Sequence, residues 1–214
     1  METKVLIADD HKLFREGLRT LIEKEPYMRV IAEARDGRDA IQIARKLKPD
    51  IIIMDIAMPG LNGVEATRII KSDIPDAKII ALSMHSDRNF VIETIKAGAS
   101  GYVLKDCAFK DLFDAIKTVQ SNRFYLEGLV TDIVVKNILD ANEKQSSAFS
   151  ILTSREKEVL QLIAEGKNTK EIAGILYLST KTVETYRKRI MTKLNIFNIA
   201  ELTRYAIKEG ITPL

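Results

Sequence analysis

Five short apolar runs alternate with helix-length amphipathic stretches over the first 120 residues, and that alternation leaves few folds open. The runs cover 4–9, 29–34, 50–55, 78–83 and 101–104. Between them apolar residues recur at helical spacing, as in Leu13, Leu18, Leu21 and Ile22, or in Leu112, Ile116 and Val119. Strands and helices in strict alternation predict βαβ units, hence an α/β doubly wound sheet of five parallel strands with helices on both faces. Turn chemistry agrees, because Asp36-Gly37, Pro59-Gly60, Asn62-Gly63 and Gly98 all fall between the elements.

Open α/β sheets place their ligand crevice just beyond the carboxyl ends of the strands. Asp9 and Asp10 close the first run and Asp55 closes the third, so three carboxylates converge there. Like charges about 4 Å apart repel by roughly 4 kcal/mol at an effective dielectric of 20. A hard divalent cation such as Mg²⁺ relieves that repulsion, and it keeps open positions for phosphate oxygens. The acids therefore point to phosphoryl chemistry.

Beyond residue 120 the character changes. Residues 126–140 carry Leu126, Leu129, Val130, Ile133, Val134, Ile138 and Leu139 and read as one amphipathic helix, followed by a polar, unpatterned stretch over 141–147 that reads as a flexible linker. From Leu152 onward the pattern is helical. The expected organisation is a first domain over 1–120, a connection over 121–150 and a small all-α domain over 151–214. Charge divides along the same lines: residues 1–120 hold 19 Lys/Arg and 19 Asp/Glu, whereas 149–214 hold 11 against 7, a net +4. A basic terminal module suits a polyanion. Cys107 is the only cysteine, which excludes an internal disulfide, and no run approaches the length of a membrane span. The expected setting is the cytoplasm, with no membrane partner.

With these residues in place, 4–120 resembles the receiver domain of a two-component response regulator, a flavodoxin-like fold. The resemblance rests on Asp9-Asp10, Asp55, Met58-Pro59-Gly60 and Asn62-Gly63, Ser83 at the end of the fourth strand, and Gly101-Tyr102-Val103-Leu104-Lys105 as the fifth. It implies that Asp55 accepts a phosphoryl group from the phosphohistidine of a sensor kinase, giving an acyl phosphate. It implies Mg²⁺ held by Asp10, Asp55 and the carbonyl of Ala57, with Asp9 acting partly through water. Lys105 and the Ser83 hydroxyl are then phosphate partners, and Tyr102 follows Ser83 from an exposed to a buried position, changing the face formed by the fourth helix, fifth strand and fifth helix. One departure is Asp106 after Lys105, where many receivers have proline, which leaves the isomer of that peptide bond open. His11 reads as a polar loop residue, as does His85, which stands two residues beyond Ser83 and close enough to affect phosphate lifetime.

In the basic module, Thr153-Ser154-Arg155-Glu156 is a capping box that opens a helix, Gly166 stops it, and a second helix covers about 170–177. A third helix starts near Thr180 with Val183, Ile190 and Leu194 inward, and a fourth covers 199–209. Two helices joined by a tight turn, the second basic, form a helix-turn-helix pattern. The segments Leu152 to Glu156, Lys170-Glu171-Ile172-Ala173, Leu178-Ser179, Thr182-Val183 and Lys193-Leu194 resemble the LuxR-type DNA-binding domain. The whole chain is accordingly similar to NarL/FixJ-type response regulators. Helical phase sends Glu184, Thr185 and Lys188 to base edges of double-stranded DNA, while Lys170, Lys181, Thr182, Tyr186 and Arg187 hold the backbone. Tyr186 and Ile199 depart from the residues common in the family. The resemblance also implies a phosphorylation-favoured homodimer on paired half-sites, with the last helix (Ile199, Leu202, Thr203, Ala206) and the receiver as candidate faces.

Two other functions fit part of this pattern. An aspartyl-phosphate phosphatase would use Asp55 as nucleophile, but it needs an acid two residues later, where Ala57 stands. A phosphate-independent dimerisation module would leave Asp9, Asp10, Asp55, Ser83 and Lys105 without a purpose.

Overall fold

The computed structural model describes residues 2–84, 88–139 and 151–212. The expectation for His85 and that for the polar stretch over 141–147 lie outside these residues. The chain divides into two compact units, Met1–Asn142 and Glu143–Leu214.

In the first unit β1 (Thr3–Ala8), α1 (Lys12–Ile22), β2 (Met28–Ala34), α2 (Gly37–Leu47), β3 (Ile51–Asp55), α3 (Gly63–Asp73), β4 (Lys78–Ser83), α4 (Arg88–Lys96), β5 (Gly101–Leu104) and α5 (Ala108–Gln120) follow in order. The sheet is parallel throughout, in the order β2-β1-β3-β4-β5-β6. Its sixth member β6 (Tyr125–Leu126) corrects the expectation of five strands. Two residues carry no period that could be read beforehand, and β6 exists because Gly101 and Tyr102 offer it a sheet edge.

Side chains alternate across the sheet because successive Cβ atoms point to opposite faces. Val5, Ile7, Ile51, Ile53, Ile80, Leu82 and Val103 pack with Leu18, Ile22, Leu112 and Ile116 of α1 and α5. Leu6, Ala8, Ile52, Met54 and Ile79 face Ala40, Ala44, Ala66 and Ile70 of α2 and α3. Burial on both faces explains why these strands read as continuous apolar runs. The helix expected over 126–140 is α6 (Gly128–Leu139); it packs on α4 and β6 pairs with β5, so both belong to the first unit.

The second unit holds α7 (Ser154–Ala164), α8 (Thr169–Leu176), α9 (Thr180–Leu194) and α10 (Ile199–Lys208). Its start is the expected capping box: Thr153 Oγ1 accepts from the Glu156 amide and Glu156 Oε2 accepts from the Thr153 amide at 2.8 Å. The same Glu156 oxygen lies 2.6 Å from Lys193 Nζ, so one carboxylate ties the start of α7 to the end of α9. Burial disfavours the charged form, but Lys193 and the Thr153 donors outweigh it and hold the Glu156 carboxyl below its ordinary value. That contribution is present above about pH 4.5 and is lost as pH falls through the lowered folded-state value. Glu156→Gln is therefore expected to cost about 2 kcal/mol at neutral pH, from a weakened cap and a lost charge-assisted bond. Urea denaturation of the full chain at pH 7 and pH 3.5 checks this, since the difference from wild type should shrink at the lower pH.

Candidate functional site

The strand order reverses between β1 and β3, and the acidic residues stand at that reversal, where open α/β sheets bind ligands. Asp9 and Asp55 are almost completely buried, whereas Asp10 opens to solvent. Lys105, in a 3₁₀ turn over Lys105–Cys107, sends its amine between them, 2.7 Å from Asp9 Oδ2 and 2.8 Å from Asp55 Oδ2. Its ammonium also lies 4.9 Å from the centre of the Phe14 ring. The peptide bonds of the described residues are all trans, including the one between Lys105 and Asp106.

One ammonium cannot compensate three carboxylates. Burial raises the Asp55 pKa, and repulsion from Asp9 raises it further, against the pull of Lys105 and a hydrogen bond from the Ala57 amide at 3.1 Å. Lys105 is held above its ordinary value although burial works the other way, because Asp55 and Asp9 both favour its charged form. Asp9, Asp10, Asp55 and His11 each offer a ligand atom, and the four atoms lie within 4.8 Å of one another. This donor set, rich in oxygen and short of positive charge, fits a hard divalent cation.

His11 is a neighbour that the sequence reading set aside. Its Nδ1 lies 2.9 Å from Asp10 Oδ1 and 3.2 Å from Asp9 Oδ1, and its amide donates to Asp9 Oδ1 at 2.8 Å. The signal was its place directly after Asp9-Asp10. Arg15 gave no such signal. It occupies the inner face of α1 beside Leu18 and Ile22, donates to the Asp9 carbonyl at 2.7 Å and pairs with Glu33 at 3.1 Å. Arg19 closes the same network on Glu33 at 2.6 Å.

Ser83 ends β4 opposite Leu104 and is fully buried. Tyr102 is fully buried too and lies on the opposite face of β5 from Val103, so the ring takes the inward of its two expected positions. The loop after β3 is fixed by the backbone: the Gly63 amide donates to the Ile56 carbonyl at 2.9 Å, and the buried Asn62 side chain caps α3 through the Glu65 amide.

In the second unit α9 follows α8 after a three-residue turn, with Tyr177 the C-cap of α8 and Ser179 the N-cap of α9. Val183 and Ile190 are buried and Leu194 is half-buried. Lys170, Lys181, Glu184, Thr185 and Lys188 are exposed, while Thr182, Tyr186 and Arg187 are half-buried. Arg189 is exposed beside Lys188, and Tyr177 is 95% exposed in a left-handed conformation at φ 53°. Neither entered the expected DNA-binding set.

Residues 5–117 match the family model for the response regulator receiver domain, and residues 150–206 match that for bacterial regulatory proteins of the luxR family. The chain belongs to the NarL/FixJ-type response regulators. This response regulator is 38% identical to the transcriptional regulatory protein DegU of Brevibacillus brevis, over 97% of the chain and 94% of that protein. It is 39% identical to the oxygen regulatory protein NreC of Staphylococcus epidermidis, over 97% of the chain and 98% of that protein. Among solved structures it is similar to RcsB of Salmonella enterica serovar Typhimurium bound to promoter rprA in the presence of the phosphomimetic BeF3⁻. That match has a TM-score of 0.63 and 29% identity, over 96% of this chain and 98% of the other. The response regulator thus pairs a receiver with a LuxR-type DNA-binding domain, and its relatives are transcriptional regulators. No helix among its described residues is long and apolar enough to cross a membrane.

The proposed dimer face on the last helix needs correction. Leu202 and Ala206 are fully buried where α10 packs on α7, which leaves Ile199 and Thr203 at the surface. The period that marked them as an apolar stripe was the signature of a core, because a small helical unit needs that face for itself.

Proposed function

We propose that Asp55 is the phospho-acceptor of this response regulator and that its donor is the phosphohistidine of a sensor histidine kinase. The observation that carries the reading is the buried Asp9–Lys105–Asp55 constellation at the strand-order reversal. An Asp55 carboxylate oxygen attacks phosphorus, the nitrogen–phosphorus bond of the donor breaks, and an acyl phosphate forms as the imidazole leaves. Asp10, Asp55 and the carbonyl of Ala57 would hold Mg²⁺, with Asp9 partly through water. The cation supplies positive charge for the transferring oxygens, the dominant need in phosphoryl transfer. On this reading Lys105 follows one phosphate oxygen and Ser83 donates to another, the first supported by its amine 2.8 Å from Asp55 Oδ2.

DNA recognition on this reading belongs to α9. Glu184, Thr185 and Lys188 address base edges in the major groove, and Lys170, Lys181, Thr182, Tyr186 and Arg187 hold phosphates. The phosphorylated protein acts as a homodimer on paired half-sites in the cytoplasm. Support for the DNA partner comes from the RcsB relative, whose structure holds a promoter. The domain limits proposed for this activity are 1–120 for phosphoryl acceptance and 151–214 for DNA binding, with the connection between them.

Intact mass after incubation with Mg²⁺ and acetyl phosphate tests the acceptor. One Mg²⁺-dependent phosphoryl adduct is expected on the wild type and none on Asp55→Asn. An adduct that persists in the variant places the acceptor elsewhere.

A further inference from the structure

The residue after β6 holds more of the first unit together than its place in a connection suggests. Glu127 Oε2 accepts from the Leu104 amide at 3.0 Å, and the Glu127 amide reaches the Tyr102 carbonyl at 3.5 Å. Its own carbonyl accepts from the Thr131 amide at 2.9 Å and from Thr131 Oγ1 at 3.1 Å, which starts α6. Glu127 thus bonds to the strand that carries Tyr102 and to the first turn of the helix leading out of the unit.

Two facts make this arrangement more than a local turn. First, β6 has two residues, so its pairing with Gly101 and Tyr102 stops short of Leu104. Without the Glu127 carboxylate the Leu104 amide would have no strand to bond on that edge. Second, Leu104 directly precedes Lys105, whose amine lies within 2.8 Å of both Asp9 and Asp55. A single peptide therefore separates the anchor of the connection from the cation of the acidic site. On its far side α6 packs against α4, so both ends of the strap lie on the α4–β5 face.

We infer that Glu127 is a positioning residue that straps α6 to β5, so that movement of Leu104-Lys105 towards a phosphoryl group on Asp55 alters the docking of α6. The inference rests on Asp55 as phospho-acceptor. New charge on Asp55 draws the Lys105 amine, the Leu104 amide shifts with its chain, and the Glu127 hydrogen bond passes the shift to the start of α6. A link of this kind works by making one arrangement of α6 better bonded than another in each state.

Hydrogen exchange on the full chain tests this, with beryllofluoride and Mg²⁺ as the phosphoryl mimic. In the wild type the mimic is expected to change amide exchange in 101–104 and in 125–139 together. Glu127→Ala should cut the response of 125–139 by about fivefold or more while 101–104 still responds. Glu127→Gln keeps an acceptor for the Leu104 amide and should restore the response, which a merely structural role would not require. A wild type that responds in 101–104 and not in 125–139 overturns the strap, and this holds even where Glu127→Ala does not fold. A wild type with no response in either segment defeats the phospho-acceptor reading instead. The strap is then decided without the mimic: unaltered exchange of 101–104 and 125–139 in Glu127→Ala overturns it, and faster exchange in both supports it.

Discussion

Lys105→Met is expected to destabilise the first unit by about 3 kcal/mol in chelator, and Mg²⁺ should recover part of that loss. Methionine keeps most of the length of the lysine stem and can still lie against Phe14, over which the ammonium now sits. What disappears is the only cation among the described residues that pairs with both Asp9 and Asp55. Both carboxylates are buried, and burial with mutual repulsion already raises the Asp55 pKa. Removing one partner of a buried charge set leaves the others desolvated and uncompensated, which costs more than the pair itself contributes. A divalent cation among Asp9, Asp10 and Asp55 would replace the missing charge. Thermal melts of wild type and variant, in EDTA and in Mg²⁺, measure both effects. A loss of stability that Mg²⁺ leaves untouched would argue that the acids hold no cation.

Gly63→Ala should be as severe for a different reason. A Cβ at this position would stand 2.0 Å from the Asp55 carbonyl oxygen, 2.8 Å from its carbonyl carbon and 2.9 Å from the Ile56 Cα. All three are backbone atoms, so no side chain can turn aside, and either α3 or the end of β3 must move. Overpacking of that kind costs about 3 kcal/mol. Where the end of β3 yields, Asp55, the proposed acceptor, moves with it, so phosphoryl uptake on acetyl phosphate should fall along with the melting temperature. A variant that melts lower and still takes up phosphoryl at the wild-type rate would show that α3 had yielded and β3 had not. The Asn62-Gly63 pair read from the sequence as a turn and as part of the receiver pattern; its tolerance for nothing larger than hydrogen comes from the crossing of two backbones.

Much of the candidate site was legible because chain order and spatial order coincide there. In a parallel sheet every strand ends on the same side, so Asp9, Asp10, Asp55 and Lys105 come together wherever the individual crossovers run. The outward face of α9 was legible for a similar reason, since Val183 and Ile190 fix the phase of the helix. What escaped notice depends on partners far away in sequence. Arg15 is a charged residue on an apolar helical face, and only the Asp9 carbonyl and Glu33 account for it. Leu202 and Ala206 showed the right period and the wrong partner, because one apolar stripe serves a core or a dimer equally well.

The sequence by itself determined the alternation of strands and helices, the acids at the strand ends, the capped helices and the basic recognition helix. Each of these is a property of residues within one or two turns of one another, or of a period that a single element imposes. Only the tertiary structure decided that residues 125–139 belong to the first unit, as a sixth strand and a helix packed on α4. The physical reason is that a two-residue strand has no period of its own. It forms along the outer edge of β5 at Gly101 and Tyr102, and Glu127 is held there by the amide of Leu104, 23 residues earlier in the chain.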